Sequence, residues 1–289
     1  MIYNIIYHAD VLDGHASGAI FKSVFNSDEI VKMWPFSYGM EFPKEIKGNE
    51  KVYILDFSFK NMDELYKKFE DNLVWIDHHQ IIKEFEHVPI KGYRKTTVSA
   101  CYLSWKWCKC WSEKDKIPEW VQLLSDYDTW NQSDLKKWND VILPFQFGIQ
   151  LEKTDPKENW DFWDGIFSLN SFETNDKVTK YINRGQSVID YLDIKTKKLL
   201  NKESFEVTFE GYNAIITNMY TVPPNVLKMI DNHIDLLINF QNFQGKAWII
   251  NLRSSTIDVS KIAKKYSGGG HQCSAGFIWN KHIEDLFRV

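Results

Sequence analysis

The stretch LVWIDHHQ, residues 73–80, sets the reading of the whole chain. Four apolar, β-prone residues end abruptly on Asp77, His78 and His79, three groups that are costly to bury without partners. KVYILDFSF (51–59) follows the same plan and reaches Asp56, and YNIIYHADVLDG (3–14) runs from an apolar strand into His8, Asp10 and Asp13. EIVKMWPF (29–36) is a further strand candidate. GHASGAIFKSVF (14–25) and NMDELYKKFEDN (61–72) recur at helical spacing between the strands, and Asn61 is a candidate cap for the second helix. Strands that are apolar throughout and alternate with helices predict an α/β fold: a mostly parallel sheet with helices on both faces. Ligands of such sheets gather beyond the carboxyl ends of the strands, where these acids and imidazoles would collect.

The remaining sequence divides by texture. From Thr96 to about Trp163 the pattern is helical and rich in tryptophan, and packing is the first role expected of these indoles. The segment LLSDYDTW (123–130) brings two more acids, Asp126 and Asp128, after an apolar helical stretch. A polar-faced helix over residues 175–201 reads as a linker. Residues 202–289 then read as a smaller α/β domain, in which KAWIINLRSS is a strand and GGGHQCSAGFIW a glycine loop entering a last strand. The expected domains are therefore residues 1–174, the linker 175–201 and residues 202–289.

Composition narrows the function classes. The chain of 289 residues is 44% hydrophobic and 26% charged, as in ordinary globular proteins. Its four cysteines are too few and irregular for a disulfide framework or paired C-x-x-C zinc sites. The formal net charge of −4 argues against a protein that coats long nucleic acid, and residues from Lys202 onward carry nine basic against eight acidic groups. Short substrates are favoured. No apolar run approaches the roughly 20 residues of a membrane helix, and the start lacks a signal peptide, so a soluble cytoplasmic protein without membrane partners is expected. A homodimer is compatible with the sequence but not required by it.

Several carboxylates gathered at one sheet edge raise one another's pKa, so a stable cluster calls for cations. Mixed carboxylate and imidazole ligands suit manganese, iron, cobalt or zinc better than calcium.

The series YHADVLDGHASGAI, ILDFSF, VWIDHHQ and LLSDYDTW resembles the four motifs of the DHH phosphoesterase family, named for the triplet matched by Asp77, His78 and His79. INLRSSTIDVSKIAKKYSGGGHQCSAGF resembles its companion DHHA1 domain. This resemblance implies a hydrolase of phosphoester bonds with two divalent ions, manganese in particular, bridged by Asp56. His8 and Asp10 would hold one ion; Asp13, His78 and Asp126 would hold the other, with Asp128 as the alternative acid. Asp77 would support a neighbouring imidazole, and His79 would face the substrate. Arg253, Gly268, Gly269, Gly270 and His271 would receive a short nucleic acid or nucleotide, with Ser254 as a further candidate.

One departure stands out: many family members carry a second acid where this chain has Val11. Either Asp10 reaches the first ion from a shifted position or that site is weak. The expected activity is an exonuclease-like phosphodiesterase. A polyphosphatase or pyrophosphatase and a catalytically weak nucleotide-binding regulator are the alternatives.

Overall fold

The computed structural model describes residues 1–109, 116–169, 171–220, 222–223 and 225–287, leaving the side chains of Ser171, Phe172 and His271 undescribed. The chain forms two compact units, Met1–Val188 and Ile189–Val289.

The first unit opens with β1 (Ile2–His8), α1 (Leu12–Lys22), β2 (Ile30–Phe36), β3 (Lys51–Leu55), α2 (Met62–Phe69) and β4 (Leu73–Ile76). The strands lie in the order β2-β1-β3-β4 and every pairing is parallel. In register, Ile6 sits opposite both Trp34 and Ile54, and Ile54 opposite Trp75. Residue alternation then builds two cores. Ile6, Val52, Ile54, Leu73 and Trp75 face one way and meet Met62, Leu65 and Phe69 of α2. Ile5, Tyr7, Leu55, Val74 and Ile76 face the other way and meet Phe21 of α1 and Leu103. The sheet is thus covered on both faces, which is why its strands are apolar throughout.

Helices α3 (Ala100–Lys109), α4 (Glu119–Asp128), α5 (Leu135–Lys137), α6 (Leu143–Ile149) and α7 (Trp160–Phe167) follow. Trp120 packs its ring against Trp105 and Trp163, at centroid separations of 5.9 and 5.7 Å. A π-helical turn, Trp138–Ile142, joins α5 to α6. α8 (Ser171–Glu203) is a single helix, and the division between the units falls within it. Asn61 does not cap α2; its side chain instead donates to Glu64 at 3.1 Å.

The second unit contains β5 (Phe205–Phe209), β6 (Tyr212–Thr217), β7 (Leu236–Phe243), β8 (Ala247–Arg253), α9 (Val259–Lys265), β9 (Gly269–His271), β10 (Ser274–Trp279) and α10 (Ile283–Leu286). Its sheet has the order β5-β6-β7-β8-β10-β9, with β6 and β7 parallel and the other pairs antiparallel. Val259, Ile262 and Ala263 of α9 close its core over Ile238, Ile250 and Leu252. Among the described residues, no helix is long and apolar enough to cross a membrane.

Glycine placement separates packing from function. A Cβ on Gly14 would stand 2.1 Å from the His8 carbonyl oxygen, so α1 can begin against the end of β1 only without a side chain there. In the loop 268–270, a Cβ on Gly268 would meet the Gly276 oxygen at 2.1 Å, and Gly270 has φ +139°, whereas a Cβ on Gly269 would meet nothing within 4 Å. We therefore expect Gly14→Ala to lower stability by more than ~2 kcal/mol, the clash outweighing alanine's helix propensity of about 1 kcal/mol. Gly269→Ala should stay within about 0.5 kcal/mol of wild type. Urea unfolding of the two variants checks both.

A candidate two-metal centre at the sheet edge

The carboxyl ends of β1, β3 and β4 bring the acids and imidazoles together. Asp56 follows β3 directly and has φ +54°, a left-handed backbone uncommon outside glycine that aspartate tolerates better than most. Its N–H still donates to the Ile76 oxygen at 2.9 Å, so the sheet ladder continues while the side chain turns over the edge. The carboxylate is 1% exposed and, among the described residues, neither oxygen has a hydrogen-bond partner.

Three imidazoles surround it. Oδ2 lies 3.6 Å from His8 Nδ1, and Oδ1 lies 3.3 Å from His78 Nε2 and 3.8 Å from His79 Nδ1. The two oxygens therefore face different histidines. Burial pushes Asp56 up, but the contacts with His78 and His8, helped by the charge of His79, leave its pKa below the usual carboxylate range.

On the His78 side the site is well populated. His78 Nε2 lies 3.1 Å from Asp128 Oδ2 and 3.7 Å from Asp13 Oδ2. The ligand atoms of Asp13, His78 and Asp128 lie within 4.8 Å of one another, as do those of Asp56, His78 and His79. Burial and the neighbouring charge of Asp56 raise Asp13, against the pull of His78. Asp128 is pushed up to about 8, by desolvation first and by the charge of Asp13 next. Its side chain keeps 28% exposure at the mouth of the site, so water tempers that push. His78 rises to about 10: desolvation opposes protonation, and Asp56, Asp13 and Asp128 overcome it.

Asp13 has a second task. Its oxygens accept the N–H groups of Ala100 and Cys101, both at 2.8 Å, at the start of α3. A carboxylate has lone pairs enough for both helix and ion.

The acid beside His78 is thus Asp128, whereas the sequence favoured Asp126. Asp126 accepts from Gln122 at 2.9 Å and Asn131 at 3.0 Å, and its other oxygen is 3.3 Å from Lys137 Nζ. Two positions apart at a helix end, the side chains point to opposite sides. Spacing alone could not choose between them.

The His8 side is less convergent. His8 turns Nδ1 to Asp56 and Nε2 to Asp10, the latter at 3.7 Å, and Asp10 is 60% exposed. Val11 is the residue preceding α1. His8 Nδ1 is a further buried atom with no hydrogen bond. His15, unremarked in the sequence, bonds the Ala9 carbonyl at 2.8 Å and Thr154 at 2.9 Å and so fixes the backbone beside Asp10.

Asp77 serves His79. It accepts the backbone N–H groups of His78 and His79 at 2.7 and 3.2 Å and the His79 ring Nδ1 at 2.7 Å. Ser58, another residue missed in the sequence, donates to its second oxygen. Burial opposes protonation of His79, but the bond and charge of Asp77 raise it overall. With Nδ1 engaged, Nε2 is left for a ligand.

Orphaned buried carboxylate oxygens, an orphaned imidazole nitrogen and a mixed O/N donor set fit divalent transition-metal ions.

In the second unit the register sets Arg253, Ser274 and His271 in one cross-strand row. β9 ends its sheet. Ser254 is buried, donates to the Asp235 carbonyl at 2.6 Å and accepts from Thr256 and Ile257, which makes it part of the turn before α9. The His271 side chain lies outside the described residues.

No known family profile matches the chain. Oligoribonuclease NrnB of Bacillus subtilis (strain 168) is 21% identical over 316 aligned residues, spanning 99% of this chain and 75% of that protein. The uncharacterized protein R106 of Acanthamoeba polyphaga mimivirus is 22% identical over 96% of this chain and 67% of its own length. A solved structure of the pGpG-specific phosphodiesterase PggH from Vibrio cholerae superposes with a TM-score of 0.56 at 14% identity, covering 98% of this chain and 94% of that one. The likeness to PggH is one of fold. The similarity to NrnB supports a phosphoesterase.

Adding manganese at about 100 times its dissociation constant should raise the melting temperature of wild type by roughly 5–10 °C. Asp56→Asn and Asp128→Asn should lose most of that increase, and Asp126→Asn should keep it. Differential scanning calorimetry with and without the metal reads all three.

Proposed function

We propose that the chain is a metal-dependent phosphodiesterase that hydrolyses short oligonucleotides or small nucleotide phosphates from an end. The carrying observation is the buried Asp56 carboxylate, whose unbonded oxygens face His8 on one side and His78 on the other. On this reading Asp56 would serve both cations, with His8 and Asp10 holding one and Asp13, His78 and Asp128 the other. When bound, two divalent ions, manganese in particular, supply Lewis-acid polarisation of phosphate and lower the pKa of water.

The chain's own groups do the rest. His79, its Nδ1 held by Asp77, offers Nε2–H to a phosphate oxygen or to charge gathering on the leaving group. Asp77 fixes that tautomer and favours the protonated ring, and Ser58 holds Asp77 in turn. In the second unit we assign the substrate grip to Arg253, through paired contacts with a phosphate, and to the backbone of Gly268, Gly269 and Gly270 with His271. The open space at Gly269 supports this, because no internal packing accounts for a glycine there. The balanced charge of this unit favours a short substrate over a polyanion track.

A regulatory, weakly catalytic reading draws on the spread of His8, Asp10 and Asp56, whose donor atoms do not share one focus. Turnover decides between them. With manganese, wild type should release nucleoside monophosphate from a linear dinucleotide. Release of orthophosphate from polyphosphate alone would point to a phosphoanhydride hydrolase, and binding without either product to a regulator. His79→Gln should lower kcat by about 10²- to 10³-fold while leaving the manganese-induced rise in melting temperature intact.

A further inference from the structure

Tyr38 stands at the mouth of the metal-ligand cluster. Its ring lies 5.1 Å from His8 and 6.3 Å from His79, centroid to centroid, and presents an edge-to-face contact to each. It stacks on Phe57 at 4.7 Å with 29° between the planes, yet remains 55% exposed. One face is therefore backed by a buried ring while much of the remainder is open to solvent. Among the exposed large aromatic residues described, including Trp107, Trp130 and Tyr220, no other makes a ring contact with His8 or His79.

The ring is also held in place. A turn closed by Met40 N–H to the Ser37 carbonyl, 3.2 Å, carries Tyr38 and Gly39, and Gly39 takes φ +98° with open space where a Cβ would be. Covering Phe57 would leave the rest of the Tyr38 ring unexplained, since more than half of Tyr38 stays open to solvent. Phe57 is 2% exposed and already packs against Phe36, Phe59 and His8.

We infer that Tyr38, backed by Phe57, is the stacking platform for the nucleobase next to the scissile phosphate, and that it distinguishes nucleotide substrates from phosphates without a base. An aromatic face fixed beside a phosphate-hydrolysing centre takes any base, since every base offers a π-face, and so confers nucleotide preference without sequence preference. This inference rests on the phosphodiesterase reading.

The test compares a linear dinucleotide with its analogue lacking one base, using the full chain with manganese. Tyr38→Leu should raise KM for the dinucleotide about 10-fold or more, change kcat little, and leave KM for the base-less analogue unchanged. Tyr38→Phe and Tyr38→Trp should restore the dinucleotide KM. Equal KM for wild type and Tyr38→Leu, equal losses on both substrates, or failure of both aromatic variants to rescue would overturn the platform and leave the phosphodiesterase reading standing. No hydrolysis of either substrate by wild type would remove that reading and this inference with it. Should Tyr38→Leu fold poorly, the comparison of Phe and Trp with wild type still answers the question, because a platform predicts KM for Trp at or below that of Tyr.

Discussion

A buried carboxylate that accepts no hydrogen bond from any described residue organises the edge of the first sheet. Asp56 sits at the end of a central strand, in a left-handed backbone, with both oxygens shielded from water and His8, His78 and His79 drawn around it. Such a group is tolerated where positive charge is supplied, and three imidazoles are an incomplete supply. The upward shifts of Asp13 and Asp128 come from burial and from the charge of the acids beside them, and that of His78, against burial, from the three carboxylates around it. The fold's contribution is to make the arrangement unavoidable: parallel strands end together, so the residues that follow them meet.

Much of this was legible in the sequence because two periodicities coincide. Apolar runs such as KVYIL and LVWI mark strands covered on both faces, and the first polar residues after them mark the edge where ligands bind. What stayed hidden depends on direction rather than position. Asp126 and Asp128 are two residues apart at the end of one helix, and only the placement of Lys137, Asn131 and Gln122 shows that Asp126 is already engaged. Asp77 was expected to support a ligand imidazole; it grips the ring of His79 and only the backbone of His78. Ser58 and His15 lie within ILDFSF and YHADVLDGHASGAI but received no role there, and Tyr38 lies outside the motifs, since their importance comes from neighbours remote in sequence.

The glycine loop shows why a run of one residue type need not have one cause. Gly268 and Gly270 answer to the strand beside them, through a close carbonyl and a positive φ. Gly269 between them answers to neither. The same reasoning moves Ser254 away from the site, because its hydroxyl is consumed in closing the turn that starts α9.

Asp13 joins two structures that are usually separate. The carboxylate that leans on His78 also anchors the first amides of α3, a helix whose Leu103 fills the core beneath the sheet. A negative charge there favours both the ion and the helix dipole. The charge of Asp13 is consequently shared between the cluster and the hydrophobic layer: the carboxylate that faces His78 also seats the helix that carries Leu103. Loss of the Asp13 side chain would thus unseat the first turn of α3 as well as open the cluster, so its effect is never that of a missing ligand alone.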